Sequence, residues 1–226
     1  MRPLGVCPFC GESLEALDEK ENCLRCGAAI RTRSIAGVVQ DILIPLRACQ
    51  ATSERPLLAF AMTKNERILL EPLFPRITSV SLFGDYGSGH MAGVDARHLT
   101  DFEDGLFGGY FGCLLFDYFT EHEAALREAY RVLAPEGVFF IHIAAGRLEP
   151  TSNPPTEAKK IVGTADYFPY LPSGQTLSSV SVGEQWLLDK MEAIGFEARH
   201  LQVSEIGTNT VSNWFVGMKP PDGVGG

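Results

Sequence analysis

The sequence predicts an α/β protein built on a mostly parallel sheet, with a small cysteine knuckle in front of it. Three observations carry this expectation. From Leu57 onward, short apolar runs alternate with helical segments, the pattern of strand–helix–strand units. Four of the six cysteines fall in the spacing C-x2-C, twelve residues, C-x2-C. The chain has 226 residues, 45% of them hydrophobic and 21% charged, enough to bury one substantial core and a small appendage.

The segment CPFCGESLEALDEKENCLRCG sets Cys7, Cys10, Cys23 and Cys26 as two pairs. Each pair makes a turn that points two thiolates at one ion, and the spacer suits a short hairpin that brings the pairs together. Gly11 and Gly27 follow the second cysteine of each pair, where the backbone must turn tightly. A structural zinc ribbon over residues 1–30 is expected, and a closed four-thiolate site contributes folding energy rather than catalysis. The alternative is two disulfides. MRPLGVCPFC lacks the apolar core of a signal peptide, so a reducing, cytoplasmic setting is expected, and disulfides are rare there. Cys49 and Cys113 stand outside the pattern as ordinary buried thiols.

Residues 31–54 read as a connecting helix. Ile35, Val38, Val39, Ile42 and Leu43 follow the i, i+3, i+4, i+7, i+8 rule, and the helix is expected to end at Pro45 or soon after. Arg31 and Arg33 flank its start, as solvated surface charges or paired with a core-domain carboxylate rather than as an anion site. The α/β domain then spans 55–220. LLAFAM (57–62) is its first strand, KNERILLEPLF its crossover helix and ITSVSLF (77–83) its second strand. GVDARHL supplies a short third strand and YFGCLLFDYF (110–119) a buried fourth. EHEAALREAYRVL is a helix, and GVFFIHIA (137–144) a fifth strand after the turn APEG. The helix GEQWLLDKMEAIGF and strands near EARHLQV and NWFVGMK close the fold. The Pro-, Ser- and Gly-rich segment from Glu149 to Ser181 is expected to be a lid or substrate loop.

The stretch SLFGDYGSGH resembles a nucleotide loop, but its position argues otherwise. Only four residues separate Gly89 from Val94–Asp95, too few for a parallel crossover with a helix. The glycines therefore follow strand two, and LLAFAM is strand one. The net charge of −9 and a pI near 5.1 argue against a surface that neutralises nucleic-acid phosphates. No window of 18 apolar residues is present, so no membrane partner is expected.

Three segments, VDARHLTDFEDGLF, ALREAYRVLAPEGVFFIHI and LLDKMEAIGFEARHL, resemble class I S-adenosylmethionine-dependent methyltransferases of type 11. ALREAYRVLAPEG, Ala125 to Gly137, is the most specific piece. In one subgroup a cysteine-rich knuckle, an Arg-x-Arg segment and a helix precede the sheet, so the resemblance spans residues 7 to 218. It implies a Rossmann-like sheet with helices on both faces, behind the small N-terminal four-cysteine zinc ribbon. It also implies S-adenosylmethionine as cofactor.

By that resemblance Ala61 and Thr63 occupy the loop after strand one, where the family has glycines or Ala-Pro-Glu. Ser81 stands where an acid meets the ribose, with Asp85 four residues on as a compensating acid. Asp95 takes the place of the acid that meets the adenine amino group, Ala96 and Leu99 that of the adenine wall, and Cys113 lies in the segment after strand four. His142, at the end of strand five, is the candidate base, and Asp117 and Tyr118 lie at the mouth of the site. Tyr167 and Tyr170 are further candidates to line a substrate pocket.

Three functions remain open from the sequence. The first is a methyltransferase acting on a small-molecule or glycan-like acceptor. The second is a methyltransferase-like binding or partner protein that has lost the cofactor, motivated by Ser81, by Phe107-Gly108 where the family has Phe-Asp, and by the lack of glycine in AMTKNE. The third is an RNA methyltransferase, against which the acidic charge and the lack of a basic, aromatic-studded stripe both weigh.

Overall fold

The computed structural model describes residues 5–15, 17–19, 21–49, 54–82, 89–162, 176–204 and 209–222. The strands are β1 (Leu57–Phe60), β2 (Ile77–Ser81), β3 (His90–Ala92), β4 (Phe107–Cys113), β5 (Leu133–Ile143), β6 (Leu148–Glu149), β7 (Thr156–Val162), β8 (Thr176–Gly183), β9 (Glu197–Ser204) and β10 (Val211–Met218). Seven of them form one sheet in the order β3-β2-β1-β4-β5-β10-β9. The first five run parallel, and β10 lies antiparallel to both β5 and β9.

The helices are α1 (Ile30–Arg33), α2 (Ile35–Val38), α3 (Ile44–Cys49), α4 (Lys64–Leu70), α5 (His122–Val132) and α6 (Glu184–Ile194). They cover both faces, and strand alternation decides which core each face builds. Leu57 and Ala59 of β1, with Phe140 of β5 and Trp214 of β10, face α2 and α4, where Ile35, Val38 and Leu70 meet them. Leu58, Phe60, Phe139 and Ile141 face the other way, onto Ala125, Leu126 and Ala129 of α5 and Leu187 of α6. Because both faces of β1 are covered, all four of its residues are buried. Gly109 in β4 has a packing reason: a Cβ there would lie 2.6 Å from the Phe74 ring.

Several elements differ from the sequence reading. The connecting helix is broken, with a π-turn at Val39–Leu43, and it continues past Pro45 to Cys49. Pro45 cannot donate to the turn before it, and the widened turn directly upstream absorbs the missing bond. The fourth strand ends at Cys113, and Phe116–Tyr118 forms a 3-10 turn, which Leu114 enters at φ 58. The fifth strand begins at Leu133; the expected APEG turn lies inside it as an irregularity with Glu136 at φ 62.

The third strand is His90–Ala92 rather than the GVDARHL segment, which leaves Asp95 just beyond the strand. Only residues 82–89 join β2 to β3. His90 enters opposite Ser79, so the link regains just two residues of height, and a helical crossover is not required. The expected lid loop contains a three-stranded sheet, β6-β8-β7, whose strand β8 packs against the Phe116–Tyr118 turn. Tyr167 and Tyr170 lie outside the described residues.

Candidate functional site

The four ribbon cysteines converge as their spacing predicts. All four Sγ atoms lie within 4.8 Å of one another, with Cys7 to Cys26 and Cys10 to Cys23 each at 3.6 Å. A zinc ion with Zn–S bonds of about 2.3 Å puts its sulfurs about 3.8 Å apart in a tetrahedron, so the set fits that ion. The knuckles also supply thiolate-stabilising donors: backbone N–H groups of Phe9 and Cys10 point at the Cys7 sulfur, and those of Cys26 and Arg25 at the Cys23 sulfur. Among the described residues this is the one group of three or more potential ligands that converges in this way.

The remaining site residues gather at the carboxyl ends of the parallel strands, where open α/β sheets bind ligands. Ala61 follows β1, Ser81 ends β2, Cys113 ends β4, and His142, its register partner, lies near the end of β5. Ala61 adopts φ 47, a left-handed conformation that costs a residue with a side chain roughly 1–2 kcal/mol relative to glycine. The backbone here has the shape of a glycine turn without the glycine.

Thr63 caps α4 in a reciprocal box. Its hydroxyl accepts from Glu66 N at 3.4 Å, and its own N–H donates to the Glu66 carboxylate at 2.7 Å. Glu66 is 2% exposed, and burial pushes its carboxyl above the usual range despite those bonds. It is therefore committed to the loop. Cys113 is likewise pushed up, by burial first and by Glu66 second, and stays a neutral thiol.

Ser81 and Asp95, which the resemblance sets at the ribose and the adenine, each hold a protein partner. The His90 ring spans two serines of β2, with Ser81 Oγ 2.7 Å from Nε2 and Ser79 Oγ 3.0 Å from Nδ1. Asp95 receives the Arg97 guanidinium on both oxygens, at 2.9 Å (Nε to Oδ1) and 2.7 Å (Nη2 to Oδ2). Burial of Asp95 opposes ionisation, but the hydrogen bonds and charge of Arg97 outweigh it and hold the carboxyl below its usual range. Arg97 also reaches Glu121 at 2.9 Å. Ala96 is buried in the core beside Leu99. Asp85 lies outside the described residues, so its compensating role receives no geometry.

Among the described residues, Oδ2 of Asp117 and Nδ1 of His142 near this edge have no hydrogen-bond partner, and neither does Nδ1 of His122 beneath them. Asp117 sits in the Phe116–Tyr118 turn, which also carries half-buried Tyr118. Its other oxygen accepts from Ala144 N at 3.1 Å, and burial pushes its carboxyl up to about 7. The turn is pinned from below by buried His122, whose Nε2 meets the Phe116 carbonyl at 2.7 Å. His142 packs edge-on against Trp214 with ring centroids 5.2 Å apart, and burial lowers its pKa to about 3. A ring that remains neutral to that pH is a hydrogen-bonding group at neutral pH and a poor proton acceptor.

Sequence reasoning placed Asp117 at the mouth of the site but gave it no role. The available signal was a carboxylate inside the apolar run CLLFDYF. A separate cavity of about 240 Å³, lined by residues such as Ile42, Pro45, Arg199 and Met218, lies toward the opposite edge of the sheet.

With this geometry in view, the comparisons define the fold. Residues 85–141, about a quarter of the chain, match the family model described as a methyltransferase domain. No curated protein matches. Among solved structures, the YcgJ protein of Bacillus subtilis aligns at TM-score 0.51 and 11% identity, over 78% of this chain and 97% of that one. An S-adenosylmethionine-dependent methyltransferase of Mesorhizobium loti aligns at 0.50 and 12%, over 78% and 96%. The [4+2]-cyclase SpnF aligns at 0.52 and 14%, over 84% and 82%.

The chain has the class I S-adenosylmethionine-dependent methyltransferase fold, preceded by four converging cysteines. SpnF carries the same fold under the name of a cyclase, so fold and activity are separate questions.

Proposed function

We propose that the chain is an S-adenosylmethionine-dependent methyltransferase acting on a small-molecule or glycan-like acceptor, with a zinc ion in the ribbon as a structural element. The observation that carries this reading is Asp117: a carboxyl held near pH 7, with one oxygen unbonded among the described residues, at the carboxyl edge of a sheet in the methyltransferase strand order. S-adenosylmethionine would supply an electrophilic methyl group on its sulfonium.

The chain's own groups would do the rest. The left-handed turn at Ala61 and the Ser81–His90 pair line the methionine and ribose side, and Asp95 faces the adenine. Asp117 takes the proton that leaves an acceptor hydroxyl or amine, and β8 shields that group from water. His142 orients the acceptor through Nδ1. The net charge of −9 supports a small acceptor over nucleic acid.

The test is calorimetric titration of the purified protein with S-adenosylmethionine and S-adenosylhomocysteine. Saturable binding is expected, weakened at least tenfold by Asp95→Ala. No heat at millimolar ligand, with zinc shown to be bound, overturns the reading. It would instead establish a second one, a partner or binding protein without cofactor. The hydrogen bonds of His90 to Ser81 and of Arg97 to Asp95 favour that alternative, because they satisfy those groups from within the chain.

A further inference from the structure

A line of buried contacts connects the ribbon to His142 at the carboxyl edge of the sheet. Its first node is the carbonyl of Ala28, two residues after Cys26. It accepts from the N–H of Cys23 at 3.0 Å and also from the guanidinium of Arg33, whose second nitrogen donates to the Glu21 carbonyl at 2.9 Å. Arg33 is fully buried on backbone carbonyls, where the sequence reads a surface charge or a partner of a core-domain carboxylate. A guanidinium forked onto two carbonyls of the ribbon fixes α1 to the knuckle that holds Cys23 and Cys26.

The next residue carries the line onward. Ser34, also fully buried, donates its hydroxyl to the Arg31 carbonyl at 2.9 Å and accepts the Trp214 indole N–H at 2.9 Å. Trp214 is opposite His142 in the β10–β5 ladder, and their rings meet at 5.2 Å. It also stacks on Phe111 of β4 at 6.3 Å. Adjacent residues of the chain thus grip the ribbon on one side and the sheet on the other.

Among the described residues, the ribbon's own core contains only Cys7, Leu14, Cys23 and Ala28 as buried residues, too little apolar surface to hold the knuckles without a metal. Opening it takes two acceptors from a buried guanidinium, an arrangement that proteins do not tolerate without moving the charge or its backbone.

We propose that Arg33 and Ser34 are positioning residues: metal loading of the ribbon sets α1, and through the Ser34–Trp214 bond it sets the indole and imidazole at the carboxyl edge of β5. The ribbon would then be a support for the site rather than an appendage. This holds whether or not the site transfers methyl groups.

The experiment uses full-length protein carrying Trp186→Phe, which leaves Trp214 as the remaining one of the two tryptophans. Trp214 emission and the His142 ring NMR resonances are recorded with zinc bound, after chelation and after zinc is restored, with metal content measured each time. Chelation is expected to shift the Trp214 emission to longer wavelength and to move the His142 resonances, and zinc to reverse both. Ser34→Ala is expected to keep its zinc yet show displaced Trp214 and His142 signals when loaded, and to lose more than half of the response to chelation. Arg33→Lys, which cannot fork, is expected not to restore the parent response.

Unchanged Trp214 and His142 signals on chelation overturn the proposal. A full response in Ser34→Ala overturns it too, since the effect would then travel by another route. If chelation unfolds the body by circular dichroism, the zinc-loaded Ser34→Ala spectrum decides: His142 resonances identical to the parent reject the proposal.

Discussion

At the scale of single residues, Asp117 makes the clearest prediction. Its carboxyl, ordinarily near 3.8, is pushed to about 7 by burial, so the folded state holds a proton that the unfolded chain has released. The stability this group contributes is fully present below about pH 4 and is lost as pH rises to about 7, at roughly 1.4 kcal/mol per pH unit. His122 and His142 act in the opposite sense. Burial lowers them from 6.5 to about 4 and about 3, so their contribution is present above 6.5 and is lost as pH falls. Between pH 4 and 6.5 the two histidines outweigh the carboxyl by a net one proton. Asp117→Asn removes the opposing carboxyl, so stability relative to the parent should rise with pH from about 4 to about 7 and then level off. Urea unfolding across that range checks this, and parallel curves for parent and variant would refute the shift. The sequence displayed this carboxylate next to an apolar run, but its burial depends on β8, which arrives some sixty residues later and is invisible to local pattern. Ser81 was legible on its own; its pairing with His90 required the unusually short link between β2 and β3.

At the scale of elements, alternation and periodicity carried most of the fold. The two faces of β1 and β5 separate as their odd and even residues predict, and α5 buries Ala125, Leu126, Ala129 and Val132 on one side. What local pattern could not supply was any element whose existence depends on a distant partner. The β6-β8-β7 sheet is one case; the π-turn before Pro45 has a local cause instead, a missing donor that apolar periodicity does not register. Arg131 shows how a helix can also hold a loop. From α5 it donates to the carbonyls of Leu99 at 2.8 Å and Phe102 at 2.9 Å, while its ion-pair partner Glu128 accepts from Leu99 N at 2.7 Å. These bonds fix the segment that follows Asp95 and Ala96. Arg131→Met strands two backbone acceptors and is expected to cost about 1–3 kcal/mol. Arg127→Met, which removes an exposed i,i+4 pair with Glu123, is expected to cost less than about 0.5 kcal/mol. Denaturant midpoints measure both, and equal losses would show that the Leu99 segment is not held from α5. If the chain binds S-adenosylmethionine, affinity should follow the same order.

At the scale of the whole molecule, the division of cores decides how the protein comes apart. The two large clusters share one sheet, so neither can open without exposing the other, and a single cooperative transition is expected for that body. Ile35, Val38 and Leu43 belong to this shared core, so the connecting helix unfolds with the sheet even though Arg33 attaches it to the ribbon. The ribbon instead relies on its four sulfurs, and the cysteine spacing made that dependence readable from the sequence, whereas the Arg33 anchor was not. Cys10→Ser should therefore reduce zinc from one equivalent to none, because three thiolates and a hydroxyl form a much weaker site than four thiolates. The sheet body should remain folded, with one cooperative transition at a lower midpoint, since α1 loses its anchor while α2 keeps its apolar contacts. Metal analysis and thermal unfolding on the same preparation test both halves. Retention of a full equivalent of zinc would remove the ribbon as its binding site. Loss of the cooperative transition would mean that the body needs the ribbon in order to fold, and that the two cores and the knuckle form one unit.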